Sequence, residues 1–143
     1  MNDMKHTILS RGCGLLLLLG AAPGLLYNVQ AERAAKLPPA ATRENVSFEK
    51  DILPLFERSC TKCHGPEKQK GKLRLDSREA VLRGAEDGKK VVKPGNSAKS
   101  QIVLNVAHAT DDEDEWMPPE GKAEPLTAEE IGLLRAWIDQ GAR

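Results

Sequence analysis

The chain has 143 residues, enough for one domain and a short appendage but not for two full domains. Lys plus Arg number 21, as do Asp plus Glu, so the formal net charge is zero, which argues against a generally basic nucleic-acid binder. Charged residues make up 29% and are well mixed with apolar ones, which excludes wholesale disorder; aromatics are only 3%, so the core must draw bulk or cross-links from elsewhere.

Residues 1–31 read as a secretory signal peptide. Lys5 and Arg11 supply the positive start, and Gly12 to Ala22 is an apolar run containing Leu15 to Leu19. Pro23 and Gly24 break that run, and Val29-Gln30-Ala31 fits a cleavage site. The run is shorter than the ~20 residues of a transmembrane helix. The alternative is an uncleaved anchor extending to Leu26, and only then is a membrane tether expected. The expected location is periplasmic or secreted. Cys13 precedes the apolar run, is badly placed for a lipoprotein signal, and leaves with the signal. The mature chain then keeps Cys60 and Cys63. Residues 32–45 lack periodicity and read as a flexible linker. The folded domain is expected over 46–143.

That domain reads as all-α, with four helices and long loops, because no stretch sustains period-2 alternation. The first helix is expected to start with Asp51 as cap, with Pro54 in its first turn, and to run to Cys63. Asp76-Ser77-Arg78-Glu79 resembles a capping box, with the acidic Asp76 as cap, for a second helix that Gly84 stops. Ser97 or Ser100 caps a third, running from Gln101 to His108 with Ile102, Val103 and Val106 inward. The fourth has Thr127 and Glu130 as a capping box, Leu126 and Ile131 as a staple, and a stripe of Ile131, Leu134 and Ile138 beside Leu133 and Trp137. It is expected to pack on the first.

The chemistry concentrates at Cys60-Thr61-Lys62-Cys63-His64, the attachment pattern for c-type haem. Cysteines three apart share a helix face, so both thiols can add to the two vinyl groups on one side of a porphyrin. The adjacent histidine then reaches the iron, with Thr61 and Lys62 pointing away. A structural zinc half-site lacks a convincing second pair of ligands. A thioredoxin-like redox pair lacks its βαβ setting. A disulfide between such close cysteines would close only a small loop. The expected cofactor is therefore one covalent haem c.

The second axial ligand should lie downstream. Met117 is the single methionine of the domain and sits in Trp116-Met117-Pro118-Pro119. Two prolines stiffen the backbone after it, and Met/His ligation raises the reduction potential. His108 is the competing ligand. The other ring N–H of His64 needs an acceptor, for which a backbone carbonyl near Pro66 or Pro94 is expected.

Together these pieces resemble the planctomycete-type cytochrome c domain, a class I-like c-type cytochrome. Phe48-Glu49-Lys50-Asp51-Ile52-Leu53-Pro54 precedes the haem motif, and Cys60 to Gly65 is the motif with its trailing glycine. Gly71-Lys72-Leu73-Arg74-Leu75-Asp76-Ser77, Gly84, Val92-Lys93-Pro94-Gly95-Asn96 and Ser100 follow. Met117-Pro118-Pro119, Leu126-Thr127 and Trp137-Ile138-Asp139-Gln140-Gly141-Ala142 complete it. The resemblance implies a cytochrome c-like helical fold around one covalent haem. By it Cys60 and Cys63 carry the thioethers, His64 is the proximal iron ligand and Met117 the distal one. It leaves the role of a free-standing copy open, and the first expectation is a one-electron carrier rather than a catalyst.

Charge is uneven along the chain. Residues 62–93 carry ten basic and five acidic side chains, whereas 94–143 carry four basic and ten acidic. The surplus peaks at Asp111-Asp112-Glu113-Asp114-Glu115, before the expected ligand loop. Such a run is usually a solvated loop. It lacks the spaced calcium-binding pattern of an EF-hand, and its functional reading is a steering patch for a basic-faced redox partner. Two other functions fit a haem domain. A small peroxidase would need an open iron site and a distal acid–base residue. A sensing or binding module would need a readily displaced methionine.

Overall fold

The computed structural model describes residues 36–143. The expected signal peptide lies outside the described residues. Regular structure among the described residues is helical: α1 (Leu53–Ser59), α2 (Arg78–Arg83), α3 (Gln101–Val106) and α4 (Ala128–Asp139), with one 3₁₀ turn in the first and last links and two between α2 and α3. Among the described residues the β pairing is one isolated antiparallel bridge, His64 with Gln69.

α1 begins and ends differently from the sequence expectation. A π-helical turn, Phe48–Ile52, leads into it, capped by Ser47 rather than Asp51. Ser47 Oγ accepts from the Lys50 N–H at 3.4 Å, and the Ser47 N–H donates to Asp51 Oδ2 at 2.8 Å. Proline has no N–H, so Pro54 cannot serve the Lys50 carbonyl four residues back. The wider turn, closed by the Leu53 N–H on the Phe48 carbonyl, brings Pro54 into the first turn of α1, where no donor is needed. α1 stops at Ser59, before the cysteines. Cys60 leaves helical geometry at φ −127°, and the Cys63 and His64 N–H groups both donate to its carbonyl, at 3.0 and 2.9 Å. The haem motif is thus a tight turn on the end of α1 rather than part of a helix.

α2 and α3 are short. Ser77 caps α2, accepting from the Ala80 N–H at 3.3 Å. Asp76 instead pairs with Arg74, Nε to Oδ1 2.9 Å, and those hydrogen bonds hold its carboxyl below the usual range. α3 buries Ile102, Val103 and Val106 as its periodicity required, and ends two residues short of the expected His108.

α4 matches its local signals. Thr127 and Glu130 form the reciprocal capping box, and Leu126 and Ile131 are both buried. Ile131, Leu134, Trp137 and Ile138 face the core. Trp137 meets Phe48 with ring centroids 5.4 Å apart, and Phe48 meets Phe56 edge-on at 6.1 Å. α4 therefore packs on the π-turn that opens α1.

Glu130 also reaches the haem-motif end of α1. Its two oxygens accept from Arg58 Nη1 and Nη2 at 2.7 and 2.8 Å. These bonds, chiefly, hold the Glu130 carboxyl down from 4.5 to about 2. A carboxylate depressed in the folded state stabilises fully above its unfolded value and loses that contribution as pH falls through its folded value. Glu130→Ala should destabilise by about 1 kcal/mol through the cap alone. Urea melts should show the gap between wild type and variant closing as pH drops from about 4.5 to about 2.

Residues 36–45, expected to be flexible linker, lie along α4. The Ala41 N–H donates to the Gly132 carbonyl at 2.9 Å, Gln140 Nε2 donates to the Arg43 carbonyl at 2.8 Å, and Leu37 is buried. Arg135 Nη1 donates to the Pro38 carbonyl. The close approach needs Gly132, where a Cβ would stand 2.7 Å from the Pro39 carbonyl oxygen. The segment 93–100 docks on the C-terminal end of α4. The Gly95 N–H donates to Ile138 O at 2.7 Å, and Asp139 accepts from the Ser97 N–H and Oγ at 2.7 and 2.9 Å.

Candidate haem site

The turn after α1, the 70–75 segment, α3 and the loop after it enclose one cavity of about 580 Å³. That volume lies within the ~300–1,000 Å³ typical of cofactor sites. Cys60, Cys63, His64 and Met117 all line it, together with Leu73, Leu75, Val91, Ile102 and Val106. Four residues singled out by sequence, from two segments far apart in the chain, thus share one apolar-walled space. The fit to a porphyrin is good in donor chemistry too: two thiols three residues apart, an imidazole and a thioether. His108 does not line this cavity. It is exposed, just past α3 at φ +50°, and its ring stacks on Trp116 at 4.8 Å.

His64 is held by main chain on both sides. Its Nδ1 lies 3.1 Å from the Lys70 carbonyl oxygen. A carbonyl only accepts, so Nδ1 carries the proton and Nε2 keeps its lone pair for a metal. The acceptor is therefore Lys70, and the expected carbonyls near Pro66 and Pro94 are not used. The Leu75 N–H donates to the His64 carbonyl at 2.8 Å, and the Lys70 N–H to the Cys63 carbonyl at 3.0 Å. Burial lowers the ring's pKa, which favours the neutral imidazole that a metal requires. Gly65 explains itself here. A Cβ on it would stand 2.3 Å from the Thr61 carbonyl oxygen, so only glycine lets the chain turn this tightly after the histidine.

Cys60 and Cys63 are free thiols, both partly buried. Burial pushes the Cys60 thiol up to about 12, so at neutral pH it is protonated, and the thiolate needed for disulfide exchange is scarce. Among the described residues no group of three or more His, Cys, Asp or Glu could hold a metal ion, so the zinc reading gains no second half-site.

Met117 is placed by α3. Its N–H donates to the Asn105 carbonyl at 3.1 Å. The acidic run before it is wound into a 3₁₀ turn, Glu113–Glu115, capped by Asp112, whose Oδ1 accepts from the Asp114 N–H at 2.9 Å. Around the cavity, Lys62, Lys68, Lys70, Lys89 and Lys122 are all exposed, against one carboxylate, Glu115. Lys62, expected to point away, forms part of this wall. Sequence reasoning also missed Gln101, Asn105 and Lys70 as site residues. Only Gly65 carried a local signal, as the small residue trailing the motif.

Residues 60–121 match the family model described as Planctomycete cytochrome C, the family that the motifs resemble. That segment runs from the first cysteine to just past the Met117 loop. Comparison with curated proteins and with solved structures returned no match. A cytochrome c family domain binds haem and transfers electrons, and domains of this kind are usually exported. No helix among the described residues is long and apolar enough to cross a membrane.

Proposed function

We propose that this chain is a monohaem c-type cytochrome that carries single electrons outside the cytoplasm. The observation that carries it is the convergence of Cys60, Cys63, His64 and Met117 on one apolar cavity of cofactor size. The folded unit is the 46–143 domain, with the 36–45 segment laid along α4.

When bound, the group supplies an iron that cycles between two oxidation states. The chain's own residues do the rest. The Cys60 and Cys63 thiols would fasten the macrocycle. His64, its Nδ1 proton held by the Lys70 carbonyl, would offer Nε2 to the iron. Met117, anchored through its N–H to α3, would offer its thioether. Leu73, Leu75, Val91, Ile102 and Val106 exclude water, which tunes the potential. With His64 and Met117 both holding the iron, the chain would leave no open site for substrate, and His108, the remaining histidine of the domain, stands outside the cavity. That favours a carrier over a peroxidase or a sensing module. Export rests on the N-terminal signal. For a redox partner protein, the acidic run at 111–115 is proposed to guide a basic face. The lysines at the cavity edge suit a second, acidic patch on the same partner.

Expression with a c-type maturation system, followed by haem staining of a denaturing gel and intact mass, should show one haem retained per chain. A mature, exported chain without covalent haem would overturn the reading. Met117→Ala should keep the haem but lose the low-spin methionine signature in the ferric spectrum. Its potential should fall by on the order of 100 mV, a modest part of the ~0.8 V that axial ligation commands.

A further inference from the structure

Gln101 sits at the start of α3, half-buried in the cavity wall, and its amide makes two short bonds. Nε2 donates to Asn105 Oδ1 at 2.7 Å and to Glu115 Oε2 at 3.1 Å. A carboxylate only accepts, so Glu115 fixes which end of the Gln101 amide faces it. The amide NH₂ has two hydrogens and uses both. The same Asn105 whose side chain is gripped here receives the Met117 N–H on its backbone carbonyl, at 3.1 Å. Glu115 and Met117 are two residues apart. The loop is therefore stapled to α3 at two points, one of them a charge-assisted bond.

The rest of the loop is braced internally. Glu115 N–H donates to the Asp112 carbonyl at 3.2 Å and Trp116 N–H to the Glu113 carbonyl at 3.0 Å. Trp116 stacks on His108, and its Nε1 donates to the Thr110 carbonyl at 3.5 Å. Residues 110–116 are thus braced among themselves, and Met117 follows Glu115 by only two residues. We propose that Gln101 is a positioning residue for Met117: through its bridge to Glu115 and Asn105 it holds the loop at the distance at which the thioether stays on the iron. Glu115 accordingly belongs to this clamp and not only to a solvated acidic run.

The proposal rests on the reading of Met117 as distal ligand. Its readout is the ease with which an added ligand displaces the methionine. Holoprotein variants are titrated with imidazole while the methionine signature of the ferric spectrum is followed. Gln101→Leu keeps the volume but removes both donors. It should retain covalent haem and helical content, and imidazole should displace the methionine at about tenfold lower concentration. That is about 1.4 kcal/mol of lost loop restraint. Glu115→Ala should behave likewise, while Glu115→Gln keeps an acceptor for Gln101 and should stay within about threefold of wild type. Wild-type imidazole affinity in both Gln101→Leu and Glu115→Ala would overturn the clamp. So would Glu115→Gln falling as far as Glu115→Ala, since charge rather than the bridge would then be at work. If wild type itself lacks the methionine signature that Met117→Ala removes, the ligand reading fails and the clamp with it. A clear signature in wild type, lost in Met117→Ala but indifferent to Gln101, sinks the clamp alone.

Discussion

The double substitution Cys60→Ala/Cys63→Ala should leave the exported chain without covalent haem and largely unfolded at room temperature. The stability argument follows from the cavity. At ~24 cal/mol per Å³, a volume of about 580 Å³ corresponds to about 14 kcal/mol if nothing apolar occupies it and the walls hold their places. The whole folding free energy of a domain this size is about 5–15 kcal/mol. The figure is a ceiling, because the cavity opens to solvent and short elements can collapse into it. Half of it, about 7 kcal/mol, is still comparable to that total. Leu73, Leu75, Val91, Ile102 and Val106 form a wall that a bound macrocycle would cover. Far-UV circular dichroism of purified variant and wild type measures this directly. A variant with wild-type helicity and a wild-type melting temperature would show that the cavity walls stand by themselves.

Trp137→Ala should cost about 3–5 kcal/mol, the range for emptying a buried large aromatic site. Trp137 is fully buried and lies 5.4 Å from Phe48, which in turn meets Phe56 of α1. It is the contact by which α4 holds the element that ends in the haem motif. Its Nε1 also donates to the Arg143 carbonyl at 3.0 Å, tying down the C-terminus. Trp137→Phe keeps most of the apolar volume and loses that bond, and should cost about 1 kcal/mol from the bond itself. Urea unfolding of the holoprotein separates the two. A Trp137→Ala variant within 1 kcal/mol of wild type would show that the aromatic cluster is not what joins the helices.

Much of the helical framework was legible because its signals are local. A cap, the residue it serves and the staple around it lie within a few positions, so Thr127, Glu130, Leu126 and Ile131 could be read directly, as could the stop at Gly84, whereas the cap of α2 is Ser77 and not the expected acidic Asp76, which Arg74 takes. The buried stripe of α3 followed from spacing alone. The errors came where a distant or unusual partner decided the outcome. Pro54 was correctly placed in a first turn, but a π-turn, not an Asp51 cap, brought it there. The helix expected to reach Cys63 stops at Ser59, because the chain must turn so that the Cys63 carbonyl meets Lys70. Residues 36–45 carry no periodicity, so nothing in their own sequence announced that Gly132, nearly ninety positions on, leaves room for them to lie on α4.

The sequence by itself supplied the reactive groups: two thiols and an imidazole at fixed short spacing, and a single methionine downstream, a pattern legible because the first three are neighbours in the chain. The tertiary structure alone decided the setting of that chemistry. It chose the Lys70 carbonyl that fixes the His64 proton, and it brought Asn105, Gln101 and Glu115 together behind Met117. It also changed the meaning of the zero net charge with which the chain is first described. Folding gathers Lys62, Lys68, Lys70, Lys89 and Lys122 around the cavity and leaves Glu115 as its one carboxylate. Hydrogen bonds and fields act across space over a few ångströms, so residues fifty positions apart shape the site together, and no count along the chain contains that sum.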